Sequence, residues 1–233
     1  MTNALACSPS ITPREAAKEG RRQRILDAAE LLIEKSGSTN FSVEELARTA
    51  GISPHTVYNL MGSKAAALYI LLNRSIDRME EVRVSVPADR DPFDIVLDSG
   101  KIIIDVYSAR PNFFKPLLLF LFCVSDVEYR PAFMRRSYEH WRVAVSALST
   151  ANLIPQEFTD IDFARDLQMF FTGTLEYWVM GEIDTEEFRA QISHGFSLRL
   201  LALSVEAARP KLLRNVAIAR PVISAVVKRV NQS

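Results

Sequence analysis

Cysteine is almost missing from this chain of 233 residues: Cys7 and Cys123 are too few for a disulfide framework, and a reducing cytoplasm is the simplest compartment for them. Net charge is missing too. Lys and Arg number 28 and Asp and Glu number 28, so no whole-chain field draws the protein to nucleic acid or membrane, and a charged partner has to be met by a local patch. The longest apolar run, Leu117 to Val124, is far shorter than the ~18 residues that suggest a membrane span. The first twenty residues hold no apolar run behind a basic start, so no secretory signal is expected. Histidines at 55, 140 and 194 and two distant cysteines make no zinc spacing, and no phosphate-binding glycine loop occurs. The nearest thing to a nucleophile elbow, Gly195-Phe196-Ser197-Leu198-Arg199, lacks its second glycine. No catalytic residue, metal or cofactor is therefore expected, and the chain does not read as an enzyme. Glycine (8) and proline (11) are sparse, which leaves long stretches free of helix breakers.

What is present is helical periodicity, in a chain with enough apolar residues (48%) to bury a sizeable core. Ile25, Ala28, Ala29 and Leu32 recur at i, i+3, i+4 and i+7, Leu26 and Ile33 widen the stripe, and Gly37 stops it. Ser42 and Glu45 have the spacing of a capping box, in which each side chain bonds an orphan amide of the other's turn, and a short helix from Val43 to Ala50 follows. Gly51 permits a tight turn, Ser53 can cap the next helix, and Pro54 suits its first position because that amide would be unpaired anyway. This third helix ends near Leu60. Ser63 then caps a long fourth helix that carries Leu68, Leu72, Ile76, Met79 and Val82 and is closed by Pro87 and Pro92. Further helices are expected over 93–109, 113–125, 131–151, 159–181 and 185–207, with no competing strand alternation, so the fold class is all-α.

Two short helices joined by a glycine-containing turn are the helix-turn-helix plan, whose second helix enters the DNA major groove. His55, Thr56 and Asn59 should project from the exposed face of that second helix, where His or Asn can bond base edges and the Thr methyl can touch thymine. Lys64 stands at a helix N-terminus, which is unfavourable for a cation unless an anion such as a phosphate is near. From Arg14 to Arg24 five basic residues (Arg14, Lys18, Arg21, Arg22, Arg24) face two acids (Glu15, Glu19), the charge of an arm that could cross the DNA backbone.

The run from Ile25 to Lys64 resembles the N-terminal domain of the TetR family of transcriptional regulators, through Ser42, Glu45, Ala47, Ala50, Gly51, Ser53, Thr56, Tyr58, Gly62, Ser63 and Lys64. It departs from the family pattern at Met61, where Phe is usual, and at Ala65, where an acid is usual. The resemblance implies a DNA phosphate on the Tyr58 hydroxyl, a DNA-facing set of Ser42, Ser53, His55, Thr56, Tyr58, Asn59 and Lys64, and a palindromic double-stranded operator bound by a homodimer. It also implies a larger helical half that encloses a small-molecule pocket and dimerises through its last two long helices.

The expected organisation is a mobile arm (1–20), a helix-turn-helix DNA-binding domain (21–66), a helical effector-binding and dimerisation domain (67–207) and a basic extension (208–233). That extension has six cations and no acid, and is either a helix broken by Pro221 or a solvated tail. Two apolar stripes, Phe163, Leu167, Phe170, Phe171, Thr174 and Trp178, then Phe188, Ile192, Phe196, Leu200 and Leu203, suit half of a four-helix interface, with Gly173 and Gly195 allowing close backbone approach. Aromatics at Phe113, Phe114, Phe120, Phe122, Phe133, Tyr138 and Trp141 either pack the core or, with Cys123, Tyr107, Tyr177 and Trp178, line an apolar cavity. A hydrophobic or aromatic effector is expected against Phe113, Phe120, Cys123, Tyr138, Trp141, Phe170, Thr174 and Trp178. Arg110, Arg142 or His140 could meet a carboxylate, a surface ion pair being the plainer use of each. The functional expectation is a cytoplasmic, ligand-released repressor without membrane contact; the alternatives are a helical small-molecule-binding protein without DNA recognition, or an activator.

Overall fold

The computed structural model describes residues 12–85, 90–155, 157–203 and 206–230. Among them are ten α-helices and no strand: α1 (Pro13–Ser36), α2 (Val43–Ala50), α3 (Pro54–Met61), α4 (Lys64–Val84), α5 (Pro92–Ser108), α6 (Pro111–Cys123), α7 (Arg130–Thr150), α8 (Asp160–Met180), α9 (Thr185–Leu201) and α10 (Arg209–Val230), the last preceded by a short turn of tighter helix at Glu206–Ala208. The all-helical expectation holds. Cys7 and Pro87 lie outside the described residues.

The chain divides into two compact units, Met1–Leu68 and Tyr69–Ser233. In the first, α1, α2 and α3 close over Ile25, Ala29, Ile33, Leu46, Ala47 and Val57, each at most 1% exposed. Met61 is also buried, so the thioether fills the place where relatives of the motif carry Phe. Helix α1 starts earlier than its apolar stripe suggests. Thr12 and Glu15 form a reciprocal capping box, and Pro13 sits at the first helical position, so residues 13–20 are helical where a mobile arm was expected. The strong N-terminal stop, rather than apolar periodicity, sets that boundary. The converse holds at α2: the Ser42 hydroxyl accepts the Glu45 amide at 3.0 Å, but the returning Glu45 bond of a full box is not made.

The second unit is built from Tyr69 onward in α4 and from α5 to α10. Its centre is a chain of rings. Trp141 lies 5.2 Å from Phe171 and 5.4 Å from Phe196, Phe171 lies 5.5 Å from Phe188, and Phe188 stacks on Trp178 at 5.8 Å. The two stripes expected to form a dimer seam therefore face this unit's own core, where Phe163, Leu167, Phe171, Trp178, Phe188, Ile192, Phe196, Leu200 and Leu203 are all buried. Gly195 serves the same core: a Cβ there would stand 2.1 Å from Phe170 Cζ, so its missing side chain makes room for a ring of the same subunit. Around Gly173 nothing lies within 4 Å of a Cβ position.

The basic C-terminal stretch is an unbroken helix through Pro221. Pro221 and Ala217 are both on the exposed side, so the carbonyl deprived of its amide partner is free to meet water. Leu212, Ala219 and Val226, seven residues apart, bury the other side on α9. Lys211 pairs with Asp94 and, at 3.6 Å, Asp91 at the start of α5, and Arg229 reaches the buried Glu187 carboxylate near the start of α9 at 2.8 Å. This helix is thus clamped at both ends. The Arg229 hydrogen bond, with a further bond from the Asp184 amide, holds the Glu187 carboxyl below the usual carboxylate range.

Candidate nucleic-acid interface and effector cavity

Gly51 ends α2 with φ 66°, a left-handed conformation that side-chain-bearing residues rarely adopt, and so turns the chain sharply into α3. Ser53 caps α3 by accepting the Thr56 amide at 3.2 Å, and its hydroxyl shares a 2.9 Å hydrogen bond with the Thr56 hydroxyl. Val57 and Met61, one turn apart, anchor α3 to the core. The opposite face is consequently presented to water: His55, Tyr58 and Asn59 are exposed, Tyr58 by 49%, with Thr56 half-exposed beside them. The Asn59 amide nitrogen lies 3.0 Å from His55 Nε2, so these two side chains brace each other across one turn.

Helix α1 carries its own cations. Arg14, Lys18, Arg21 and Arg24 are exposed on a helix, while Arg22 donates from Nε to the Leu60 carbonyl at 3.2 Å and so fixes α1 against the end of α3. Lys64 has a different position from a free phosphate ligand. Its ammonium donates to the Thr39 and Phe41 carbonyls, both at 3.0 Å, and lies 5.2 Å from the Phe41 ring centre. Two of its three N–H groups therefore tie the α1–α2 connection to the start of α4, and one is left for an outside anion. The helix start itself is capped by Ser63, whose hydroxyl accepts the Ala66 amide at 3.0 Å.

Of the residues expected to touch an effector, most are occupied elsewhere in the second unit. Phe113 lies under the Arg110 guanidinium at 4.5 Å, and Phe120 lies edge-on to Tyr69 at 5.6 Å. Phe170 lies under Arg199 at 3.9 Å, and the Thr174 hydroxyl bonds the Phe170 carbonyl. Trp178 donates to the Thr185 hydroxyl at 3.1 Å beneath the Lys115 ammonium, and Tyr138 is half-buried at the surface, with its hydroxyl 3.4 Å from the Ile161 carbonyl. A small, largely interior cavity of this unit, about 40 Å³, touches α4 to α8 and is bordered by Trp141 from that set, with Tyr107, Phe122 and Phe133 from the wider aromatic group. Cys123 is exposed on an adjoining open cleft of about 610 Å³, which runs along Phe122–Val127 and reaches Arg130 and Met134.

Two of the polar residues that border the cavity are Tyr107, expected among its possible lining, and His140. Tyr107 is fully enclosed, and burial pushes its hydroxyl up to about 12, so it stays protonated at any working pH. His140 was expected at most to pair with a carboxylate, in a cavity or at the surface. The structure makes no ion pair with it: the residue is 5% exposed, and its ring makes no well-formed hydrogen bond, only a weak one to the Ser99 backbone. Burial brings its imidazolium down to about 4, opposed by that Ser99 bond and aided by the smaller effect of the Arg83 charge. Arg142, by contrast, makes the surface pair, bonding Glu139 at 2.9–3.0 Å through Nε.

Residues 25–68 match the family described as bacterial regulatory proteins, tetR family. The chain carries a TetR-family domain. The match begins at the first core residue of α1 and ends where the first unit ends, so it spans the turn, the recognition-helix position and the Lys64 tie. No curated protein matches the chain. Solved TetR-family structures share its fold. A TetR transcriptional regulator from Rhodococcus sp. RHA1 superposes with TM-score 0.63 at 19% identity, covering 79% of this chain and 97% of its own. The repressor SmeT of the Stenotrophomonas maltophilia multidrug efflux pump SmeDEF gives 0.60 at 20%, covering 78% and 89%. The secondary repressor NalD of the Pseudomonas aeruginosa MexAB-OprM pump gives 0.57 at 20%, covering 76% and 96%. Among the described residues, no group of three His, Cys, Asp or Glu could hold a metal ion, and no helix is long and apolar enough to cross a membrane.

Proposed function

We propose that the protein is a ligand-responsive transcriptional repressor that binds a palindromic operator as a symmetric dimer. The observation that carries this reading is the free face of α3, where His55, Thr56, Tyr58 and Asn59 stand in water on a helix whose other face is pinned by Val57 and Met61. A fold does not need that row of polar and aromatic side chains for its own stability; a major groove does. Tyr58 donates to a phosphate, the His55–Asn59 pair and Thr56 meet base edges, and Ser42 and Ser53 add backbone contacts from the helix caps. Lys64 acts mainly by holding the α1–α2 connection, with one N–H directed to a phosphate. The α1 cations supply the sequence-independent attraction that a chain of zero net charge otherwise lacks.

Dimerisation is supported by the outer face of α8. Met169 and Tyr177 are each more than half exposed, with bare Gly173 midway between them, Met180 beside them is 47% exposed, and Leu198 of α9 is 47% exposed. An apolar stripe with a glycine at its centre suits close approach of a second copy. Occupation of the second unit by a small apolar molecule shifts the dimer toward an arrangement that does not fit the operator, with a coupling of about 1–3 kcal/mol. SmeT and NalD, repressors of efflux pumps on the same fold, support reading this chain as a repressor. The test is titration of fluorescent duplexes carrying selected sequences, with and without effector candidates. Saturable, salt-dependent binding of two protomers per duplex is expected, and a monomer bound without dyad symmetry would overturn the reading.

A further inference from the structure

The cavity beside His140 has a feature that an ordinary core void lacks. Empty cavities in proteins are lined by apolar groups, and a buried polar atom without a partner is destabilising. Here an imidazole that is 5% exposed makes no well-formed hydrogen bond, its one weak contact being to the Ser99 backbone, and so keeps at least one nitrogen open on the wall of a cavity it shares with Trp141 and Phe171. Its ring meets that of Trp141 edge-on at 5.3 Å, so packing fixes its plane. Ser137, one turn earlier on α7, also borders the space, but its oxygen already accepts from Gln168 at 3.3 Å.

The space is about 40 Å³. That is more than the ~10–15 Å³ one water needs and well short of the ~150 Å³ that takes a benzene ring. The polar end of a ligand fits there; its body does not. Phe122 and Met134, however, border both this cavity and the open cleft of about 610 Å³ between α6 and α7, and both are half-buried. Methionine is the most adaptable of apolar side chains. A shift of these two residues joins the interior space to a cleft whose rim exposes Val124 and Val127.

We propose that this joined cavity binds an uncharged apolar molecule bearing one hydroxyl, which hydrogen-bonds the open nitrogen of His140, while its apolar body takes the place of Phe122 and Met134 against the cleft. This rests on the reading of the second unit as an effector domain and specifies the chemistry it recognises. A neutral imidazole has one donor and one acceptor nitrogen, and a hydroxyl is the smallest group that complements either. An anion has no donor for the acceptor nitrogen and would enter an apolar space without a paired charge on the cavity wall. No charged side chain borders the cavity to pair with a cation either.

The probes are phenol, toluene and benzoate, similar in size and differing in the polar group. Binding to the full-length protein is followed by calorimetry and by Trp141 fluorescence, for the wild type, His140→Phe and His140→Asn. Wild type should favour phenol over toluene and over benzoate by about tenfold, the value of one well-made hydrogen bond. His140→Phe should bring phenol and toluene within about twofold of each other, and His140→Asn, which keeps a donor and an acceptor, should retain a preference. Equal binding of phenol and toluene to wild type, a phenol preference undiminished in His140→Phe, tighter binding of benzoate, or no saturable binding of any probe would each overturn the inference. Operator affinity separates it from the function proposed above. Phenol that binds through His140 without altering DNA affinity upholds the site and overturns the effector role, whereas release of DNA by phenol that is equally strong in His140→Phe overturns the site alone.

Discussion

Replacing His140 by Phe should change how stability depends on pH, in a direction and over a range that the burial of His140 dictates. In the folded protein its imidazolium is lowered from 6.5 to about 4, chiefly by burial. Above pH 6.5 the ring is neutral in both the folded and unfolded chains and contributes no slope. Below that point the unfolded chain takes up a proton that the folded one refuses, so unfolding is favoured by 1.36 kcal/mol for each pH unit at full effect. Between pH 6.5 and about 4 the loss accumulates to about 3 kcal/mol and then levels off, because the folded protein also protonates. Carboxylates titrate over part of the same range, so the wild-type curve alone does not isolate the effect; the difference between wild type and His140→Phe does. Urea unfolding followed by circular dichroism at half-unit steps from pH 7.5 to 4 supplies it. The variant should be at least as stable as wild type at pH 7.5, since it removes a buried group with no well-formed hydrogen bond. Its advantage should grow by about 3 kcal/mol toward pH 4. Parallel curves would show that the imidazole is not held neutral by burial and would refute the reasoning.

Lys64→Ala should destabilise the first unit by about 1–3 kcal/mol, since the Thr39 and Phe41 carbonyls lose a shared donor, and should lower the salt dependence of DNA binding by at most one unit; thermal melts and a salt titration read the two separately. Tyr58→Phe should weaken binding to all duplexes alike, whereas His55→Ala or Asn59→Ala should relax preference at a base position by about 1–3 kcal/mol, as selection of bound oligonucleotides would show. Gly195→Ala should cost about 1–3 kcal/mol in thermal unfolding because Phe170 has to move. Gly173→Arg should leave the helical signal intact and yield a monomer in sedimentation; a dimer unaffected by that substitution would remove α8 from the interface.

Much of this architecture is written locally. The starts of α5, α6 and α7 at Pro92, Pro111 and Arg130 and the end of α8 at Met180 fall within two residues of the expected helix bounds. The short α2–Gly51–α3 unit is legible because each cap and the left-handed turn need particular residue types within a few positions. What was not legible depends on side chains distant in sequence. Periodicity shows that Phe163, Phe171, Phe188 and Phe196 face one way along their helices, but not whether that way is a partner or the subunit's own core. The donors of Lys64 find carbonyls more than twenty residues upstream, and Gly195 is matched to a ring one helix earlier. His140 lies among residues that alternate between surface and core along α7, and only the packing of α7 into the second unit shows that it is buried without a well-formed bond. The helical start at Pro13 was available in the Thr12–Glu15 spacing, a signal masked by the polar composition of the first twenty residues.

The most direct measurement of the proposed function is footprinting on duplexes selected from a random pool by the full-length protein, with stoichiometry read by sedimentation. Two protected half-sites related by a dyad, about one helical turn or ~34–36 Å between centres, with two protomers per site and affinity falling steeply with salt, are expected if α3 of each protomer enters the major groove. Protection without a dyad, one protomer per site, or a selected pool that binds wild type no better than it binds a variant carrying Tyr58→Ala and Asn59→Ala would contradict it.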